Sequence, residues 1–90
     1  MNTVYFHSDD TISFPVLEGI SIHDLNNDVF YTLESEVAID IWNLINGSNS
    51  VKDIVDYLIK EYLIDEKTLK EDVLNFVNML YKESLIQIKQ

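Results

Sequence analysis

Two histidines with carboxylates beside them are the first residues in the chain that could do chemistry. His7 precedes Asp9 and Asp10, and His23 is followed directly by Asp24. Imidazole and carboxylate groups bind metal ions, but this spacing matches no recognised metal-binding motif, and the chain has no cysteine to supply a thiolate. We therefore expect no metal site and interpret both histidines as exposed structural residues.

The rest of the sequence contains no recognisable catalytic arrangement. It has neither a glycine-rich phosphate loop nor a nucleophile next to an activating base. Ser84, in the run Glu83-Ser84-Leu85, is similar to the serine that carries phosphopantetheine in acyl carrier proteins. In those carriers the serine precedes a central helix, whereas Ser84 follows the last helical pattern. The sequence predicts a binding protein that is not an enzyme and needs no cofactor.

The charge of the chain argues against binding to nucleic acids. Sixteen acidic and six basic residues give 90 residues a net charge of −10, and the acids are spread along the whole sequence. Such a surface repels phosphate backbones, so we expect no nucleic-acid partner. No window is apolar enough to span a membrane, and residues 1–10 do not resemble a signal peptide. With no cysteine, these features predict a soluble cytoplasmic protein.

The first third of the sequence has the two-residue periodicity of strands. Residues 11–17 form an imperfect alternation that contains Pro15, which is typical of an edge strand. Residues 20–24 and 29–33 are short β-prone runs separated by Leu25-Asn26-Asn27-Asp28, a sequence that favours a hairpin turn. Residues 1–10 are either a further strand or a mobile tail, and residues 11–90 are predicted to form one domain.

Three helices are predicted after residue 34. Ser35 is a good N-cap for a helix over residues 36–46, with Gly47 after its end. Ser50 and Asp53 have the spacing of a capping box for the second helix. Either Asp65 or Thr68 caps the third, and Thr68 with Glu71 forms the better box. The third helix has the strongest apolar stripe: Leu69, Val73, Phe76, Val77 and Leu80. Residues 85–88 regain strand periodicity, as a terminal strand or wing.

Spacing over most of the chain resembles the PqqD-like family of precursor-peptide recognition proteins. The matching positions are Gly19, Asp24, Tyr31, Leu33, Ala38, Ile41, Trp42, Leu44, Gly47, Ser50, Val51, Ile54, Leu58, Tyr62, Asp72, Val73, Phe76, Leu80, Leu85 and Ile86. The run from Asp24 to Tyr31 is similar to the free-standing B1 type of lasso-peptide biosynthesis. Two positions depart from the family: Glu34 stands where Asn is common, and Ser84 where Gly is common. Glu34 weakens one hydrogen bond of a helix cap. Ser84 lacks the conformational freedom of glycine, so the sequence does not determine the geometry of the wing.

The resemblance implies an α+β fold in which a three-stranded antiparallel sheet precedes a three-helix winged helix-turn-helix bundle. It implies a RiPP recognition element, which binds the leader of a ribosomally made precursor peptide as an added strand. Its partner enzyme would be a leader peptidase, a cyclase or a radical SAM enzyme. The implied peptide-binding residues are Val29, Phe30, Tyr31, Thr32, Leu33, Leu69, Asp72, Val73, Phe76, Val77 and Leu80.

Several of these residues have two interpretations. Strand alternation places Tyr31 and Leu33 with Val29 against the helices, and Phe30 on the outer face. Phe30 either contacts the partner enzyme or is covered by residues 4–6. We favour the second interpretation. Phe76 belongs equally well to the core or to a binding groove, whereas Trp42 is predicted to be core. Asp72 either pairs with a basic leader residue or stabilises its helix through the dipole.

Three hypotheses of function follow from the sequence. The first is a peptide-binding adaptor, whose exposed strand edge also allows a homodimer. The second is a winged-helix transcriptional regulator, which the absence of arginine disfavours and which a DNA shift assay at low salt would test. The third is an enzyme or carrier subunit, which mass spectrometry of the purified protein would reveal through an attached prosthetic group.

Overall fold

The chain folds into two small antiparallel sheets and three helices, and the computed structural model describes residues 1–90. The elements in chain order are β1 (Tyr5–His7), β2 (Thr11–Val16), β3 (Gly19–Asp24), β4 (Val29–Leu33), α1 (Glu36–Leu44), α2 (Val51–Glu61), α3 (Glu66–Lys82) and β5 (Ile86–Ile88). The predicted α+β architecture, with a sheet followed by three helices, is confirmed. No helix has both the length and the apolar composition needed to cross a membrane.

The larger sheet has the order β2-β3-β4, so β3 is central and the other two strands are edges. The predicted hairpin between β3 and β4 is confirmed, with Ile22 opposite Tyr31 and Asp24 opposite Val29. Its turn is held by Asp24, whose carboxylate accepts hydrogen bonds from the Asn26 backbone N–H and the Asn27 side chain at 3.0 and 2.9 Å. The bond from the Asn27 side chain is the main reason that the pKa of Asp24 lies below its usual value.

Glycine is required at position 19, where β3 begins. A Cβ atom placed on Gly19 would overlap the carbonyl oxygen of Leu33 on the neighbouring strand. Backbone atoms cannot yield to such a contact as a flexible side chain would, so a larger residue would displace the end of β4. The turn between β2 and β3 is therefore fixed by packing as well as by local conformation.

Helices α1 and α2 begin where the sequence predicts. Ser35 accepts a hydrogen bond from the Ala38 N–H, and Ser50 forms the predicted capping box with Asp53. Helix α1 ends at Leu44, two residues before the predicted end. The Asn46 side chain accepts from the backbone N–H groups of Ser48 and Asn49, which starts a turn in place of a further helical residue.

The preference for Thr68 as the cap of α3 was wrong, because Asp65 is the N-cap. Its carboxylate accepts hydrogen bonds from both the N–H and the hydroxyl of Thr68. A start at Asp65 lengthens the helix by three residues and lets the Leu69 N–H bond to the Asp65 carbonyl at 2.9 Å. At the other end, Ser84 takes the left-handed conformation that glycine usually supplies at a helix end, with φ of 62°.

Residues 1–10 contain a strand, which is one of the two alternatives left open by the sequence. Strand β1 pairs with β5, placing Tyr5 opposite Ile88. The segment also accepts hydrogen bonds from the N–H groups of Gly47 and Val51, in and just after the loop between α1 and α2. The expected cover of Phe30 by residues 4–6 is therefore wrong, because this segment is bound to β5 and the helices.

One core joins the central sheet, all three helices and β5. Its fifteen buried members are Ile22, Leu33, Ile41, Trp42, Ile45, Val51, Ile54, Val55, Leu58, Leu69, Val73, Val77, Leu80, Leu85 and Ile86. Trp42 lies in this core as predicted. His7 stacks on its indole ring at a centroid distance of 3.8 Å and donates a hydrogen bond to the Trp42 carbonyl at 2.9 Å. His7 is thus a packing residue and is less exposed than the sequence suggested.

The environment of His7 predicts a loss of stability in mild acid. Burial lowers its pKa below the usual 6.5, although the bond to Trp42 opposes this shift. Below about pH 6.5 the unfolded chain therefore binds a proton that the folded protein rejects, so the free energy of unfolding falls as pH drops towards the folded-state pKa. One proton limits this slope to about 1.4 kcal/mol per pH unit.

Urea unfolding followed by circular dichroism at pH 7.5 and 5.5 measures this effect. We expect His7→Gln to lose less stability between the two pH values than the wild-type protein. The control is Asn78→Gln, an exposed substitution on α3 that retains both histidines and should behave like the wild type. An equal response of the His7→Gln and Asn78→Gln variants would contradict the assignment.

Candidate functional site

The outer edge of β4 presents backbone groups that no other part of the chain uses. The strand pairs only with β3, and no hydrogen bond from a loop or a helix reaches the backbone of residues 29–33. Since alternate residues of an edge strand point their N–H and C=O groups outward, this edge can accept a further strand. The edge of β2 is also free, but Pro15 lacks an N–H donor there.

The two faces of β4 have different surroundings. Leu33 is buried and Tyr31 packs partly against the core, as predicted for the face towards the helices. Val29 was assigned to the same face, but it lies near the hairpin turn and is exposed. Phe30 and Thr32 are exposed on the outer face, where the Phe30 ring stacks on His23 with centroids 4.0 Å apart. His23 also bonds to Asp28 at 2.8 Å and is only partly exposed.

An open pocket of about 310 Å³ lies between α1 and α3, beside the point where β4 leads into α1. Its lining is Ser35, Val37, Ala38, Ile41, Ile64, Leu69, Asp72 and Phe76. Three of the residues predicted from α3 thus come together here: Leu69, Asp72 and Phe76. The apolar lining and single carboxylate suit an apolar side chain with a polar or basic group near the mouth.

The other predicted residues of α3 do not reach this surface. Val73, Val77 and Leu80 are fully buried and form part of the core behind the pocket. The helical stripe predicted from the sequence is therefore divided between two roles. Its central line supports the fold, and its side towards β4 carries the accessible residues.

A second line of residues on α3 runs beside β4. Asp72, Phe76, Met79 and Glu83 recur at intervals of four, three and four, which places them on one face of the helix. The Tyr31 hydroxyl donates a hydrogen bond to the Glu83 carboxylate at 3.2 Å, so β4 faces the C-terminal end of this line. Ser35, just beyond β4, shares the pocket with Asp72 and Phe76, so the strand and α3 run antiparallel.

The sequence reasoning missed Met79 and the residues that α1 and the preceding turn contribute. Met79 is exposed although it is apolar, and its spacing from Phe76 and Asp72 was the available signal. Val37, Ala38 and Ile41 recur at helical spacing in the sequence, and this periodicity does not distinguish a core position from a pocket wall.

The β4 side of this region carries no cation, whereas α3 carries both acidic and basic side chains. Burial, followed by the hydrogen bond to Glu83, raises the pKa of Tyr31 above its usual value of 10. Residues 1–51 contain no lysine or arginine, and all six basic residues follow from Lys52 onward. A basic or neutral ligand is therefore favoured over an acidic one near β4.

Comparison with known proteins agrees with this geometry. The family model described as coenzyme PQQ synthesis protein D (PqqD) matches residues 22–86. The structure of TbiB1 in complex with the TbiA(beta) leader peptide is 24% identical, with a TM-score of 0.82 over 91% of this chain and 94% of that chain. A lasso peptide synthetase B1 complexed with its leader peptide is 16% identical, with a TM-score of 0.84 over 92% and 96% of the two chains.

No curated protein sequence matches the chain. The family match nevertheless spans the hairpin, all three helices and the start of β5, and the resemblance noted in the sequence is confirmed. The chain belongs to the PqqD family.

Proposed function

We propose that this protein is a non-catalytic adaptor in the cytoplasm that binds the leader region of a ribosomally synthesised precursor peptide. It presents this peptide to a modifying or processing enzyme in the biosynthesis of a peptide natural product. The single observation that carries the proposal is the unpaired edge of β4 beside an apolar pocket. The leader-peptide complexes of two proteins with the same fold support it.

The leader binds by strand addition to β4. Its backbone supplies hydrogen bonds to the outward N–H and C=O groups of residues 29–33, which gives affinity with little dependence on sequence. The added strand lies between β4 and the line formed by Phe76 and Met79 on α3. Side chains on one side of the leader therefore meet these two residues, and selectivity arises there.

The pocket between α1 and α3 selects one apolar leader side chain. Its volume of about 310 Å³ accommodates a ring or a branched aliphatic group. Asp72 at the pocket favours a leader with a basic residue near that anchor, in agreement with the absence of cations from residues 1–51. This assigns the ligand-pairing role to Asp72, one of the two interpretations that the sequence allowed.

The adaptor acts by raising the effective concentration of the peptide at its enzyme. Residues 11–90 form the recognition domain in this proposal, and β1 fastens the loop between α1 and α2 to β5. Neither histidine lines the pocket, since His7 stacks on Trp42 and His23 stacks on Phe30.

A fluorescence-anisotropy titration tests the proposal directly. The labelled probes are leader peptides translated from short reading frames beside the gene, with scrambled peptides of the same composition as controls. Saturable binding that depends on sequence would support the adaptor function. If folded protein binds none of the peptides, the proposed function is wrong.

The pocket assignment predicts that Phe76→Asp weakens leader binding at least about tenfold, because an apolar anchor side chain contributes about 1.5–3 kcal/mol when buried. Asn78→Asp is the matched control, since it adds the same charge on an exposed face of α3 away from the pocket. We expect the control to bind like the wild type. Normal binding by folded Phe76→Asp protein would refute the pocket. Val73→Asp is unsuitable because Val73 is fully buried.

Strand addition predicts an alternating response to backbone N-methylation of the leader. Methyl groups on the amides that face β4 should abolish binding, whereas methyl groups on the amides between them should be tolerated. The reason is that only every second residue of a strand forms backbone hydrogen bonds with a given neighbouring strand. Anisotropy titrations with singly methylated peptides measure this pattern. A uniform response along the peptide would show that the leader binds in another conformation.

A further inference from the structure

The outer face of the larger sheet carries an uncovered apolar patch. It consists of Ile12, Phe14, Val16 and Phe30, which alternation and strand register place on the side opposite the helices. Phe30 is 57% exposed and Ile12 is 51% exposed. These four residues form the outer patch. Contiguous apolar surface of this kind on a small protein marks an interaction site.

The outer patch is held in a fixed arrangement. Ile12 lies opposite His23, which lies opposite Phe30, so the three side chains form one row across the sheet. The His23 ring is stacked nearly parallel to Phe30, at an angle of 11°. Its Nε2 atom forms a hydrogen bond with the Asp28 carboxylate, which holds the ring in place. An aromatic ring held by its neighbours loses little entropy on binding, which is the property of an interface anchor.

The rim of the outer patch is acidic and contains no cation. Exposed carboxylates stand before β2, in the turn after it and in the hairpin loop: Asp9, Asp10, Glu18 and Asp28. A second copy of the chain would bring the same carboxylates against them, and the repulsion opposes a homodimer through this face. Anionic lipid and nucleic acid are disfavoured for the same reason. The complementary surface is an apolar centre surrounded by lysine and arginine.

We propose that the outer patch docks the enzyme that acts on the bound peptide, and that the enzyme meets it with an apolar surface rimmed by basic residues. This inference rests on the proposed function. The leader occupies the β4 edge and the side towards α3, so the outer patch stays free in the complex. The sheet thus holds the peptide at its edge and the enzyme on its outer face.

Leader binding should strengthen this docking. A strand added to β4 continues the sheet, so its outward side chains stand beside Phe30 and Thr32 on the outer face. The enzyme then contacts a surface made from both the protein and the peptide. Because coupling between two ligands is reciprocal, the enzyme in turn holds the leader more tightly.

The test measures binding to the purified peptide-modifying or processing enzyme encoded beside the gene, with and without a leader peptide. We expect Phe30→Ser to raise the Kd for the enzyme about thirtyfold, as truncation of an aromatic anchor does. Ile12→Ser, on β2 and away from the leader-binding edge, should also weaken enzyme binding while its affinity for the leader stays unchanged. Tyr57→Ser is the matched control, because Tyr57 is an exposed aromatic residue on α2. Added salt should weaken enzyme binding by the wild type.

Each other outcome identifies what has failed. If the enzyme binds folded Phe30→Ser and Ile12→Ser variants as tightly as the wild type, or does not bind the wild type at all, the docking proposal is wrong. Dimers in sedimentation experiments that Phe30→Ser abolishes would assign the outer patch to a second copy and also overturn it. A wild-type protein that binds no leader but binds the enzyme through Phe30 would refute the proposed function alone.

Discussion

The position of the proposed binding edge depends on one close backbone contact, in which Gly19 lies directly against the carbonyl oxygen of Leu33. Only glycine allows this approach, so β3 and the end of β4 are held together at that point. The Leu33 side chain enters the core, and Ser35 caps α1 two residues later. The contact therefore fixes where the sheet ends and the first helix begins. The pocket depends on it, because three residues of α1 form one wall.

The parts of the fold that the sequence predicted are those specified by neighbouring residues. The hairpin turn follows from Asp24 and the asparagines after it, and the start of α2 from the box of Ser50 and Asp53. The pairing of β1 with β5 joins opposite ends of the chain and leaves no local signal. The cap of α3 failed for another reason: Asp65 and Thr68 are both good caps, and the longer helix makes additional backbone bonds.

The candidate site was half predictable, because one apolar periodicity serves both packing and binding. The stripe on α3 identified the correct side of the helix, yet Val73 and Val77 are buried whereas Phe76 is accessible. Phe76 and Val77 are adjacent in sequence and point about 100° apart around the helix, so one lines the pocket and the other enters the core. Composition cannot show which of the two directions faces the pocket. Met79 was overlooked because it lies beyond the stripe, on the side towards β4.

In the proposed function, the separation of two surfaces on one small sheet makes the adaptor selective. The edge of β4 would accept a backbone, which any extended peptide offers, so edge binding alone would discriminate poorly. The pocket would add recognition of one side chain, and a basic-rimmed enzyme on the outer patch would add a second requirement. A wrong peptide that occupied the edge would present different outward side chains and would lose the coupling free energy with the enzyme. Selectivity then belongs to the ternary complex, and the adaptor itself can bind its leader with modest affinity and release it after the reaction.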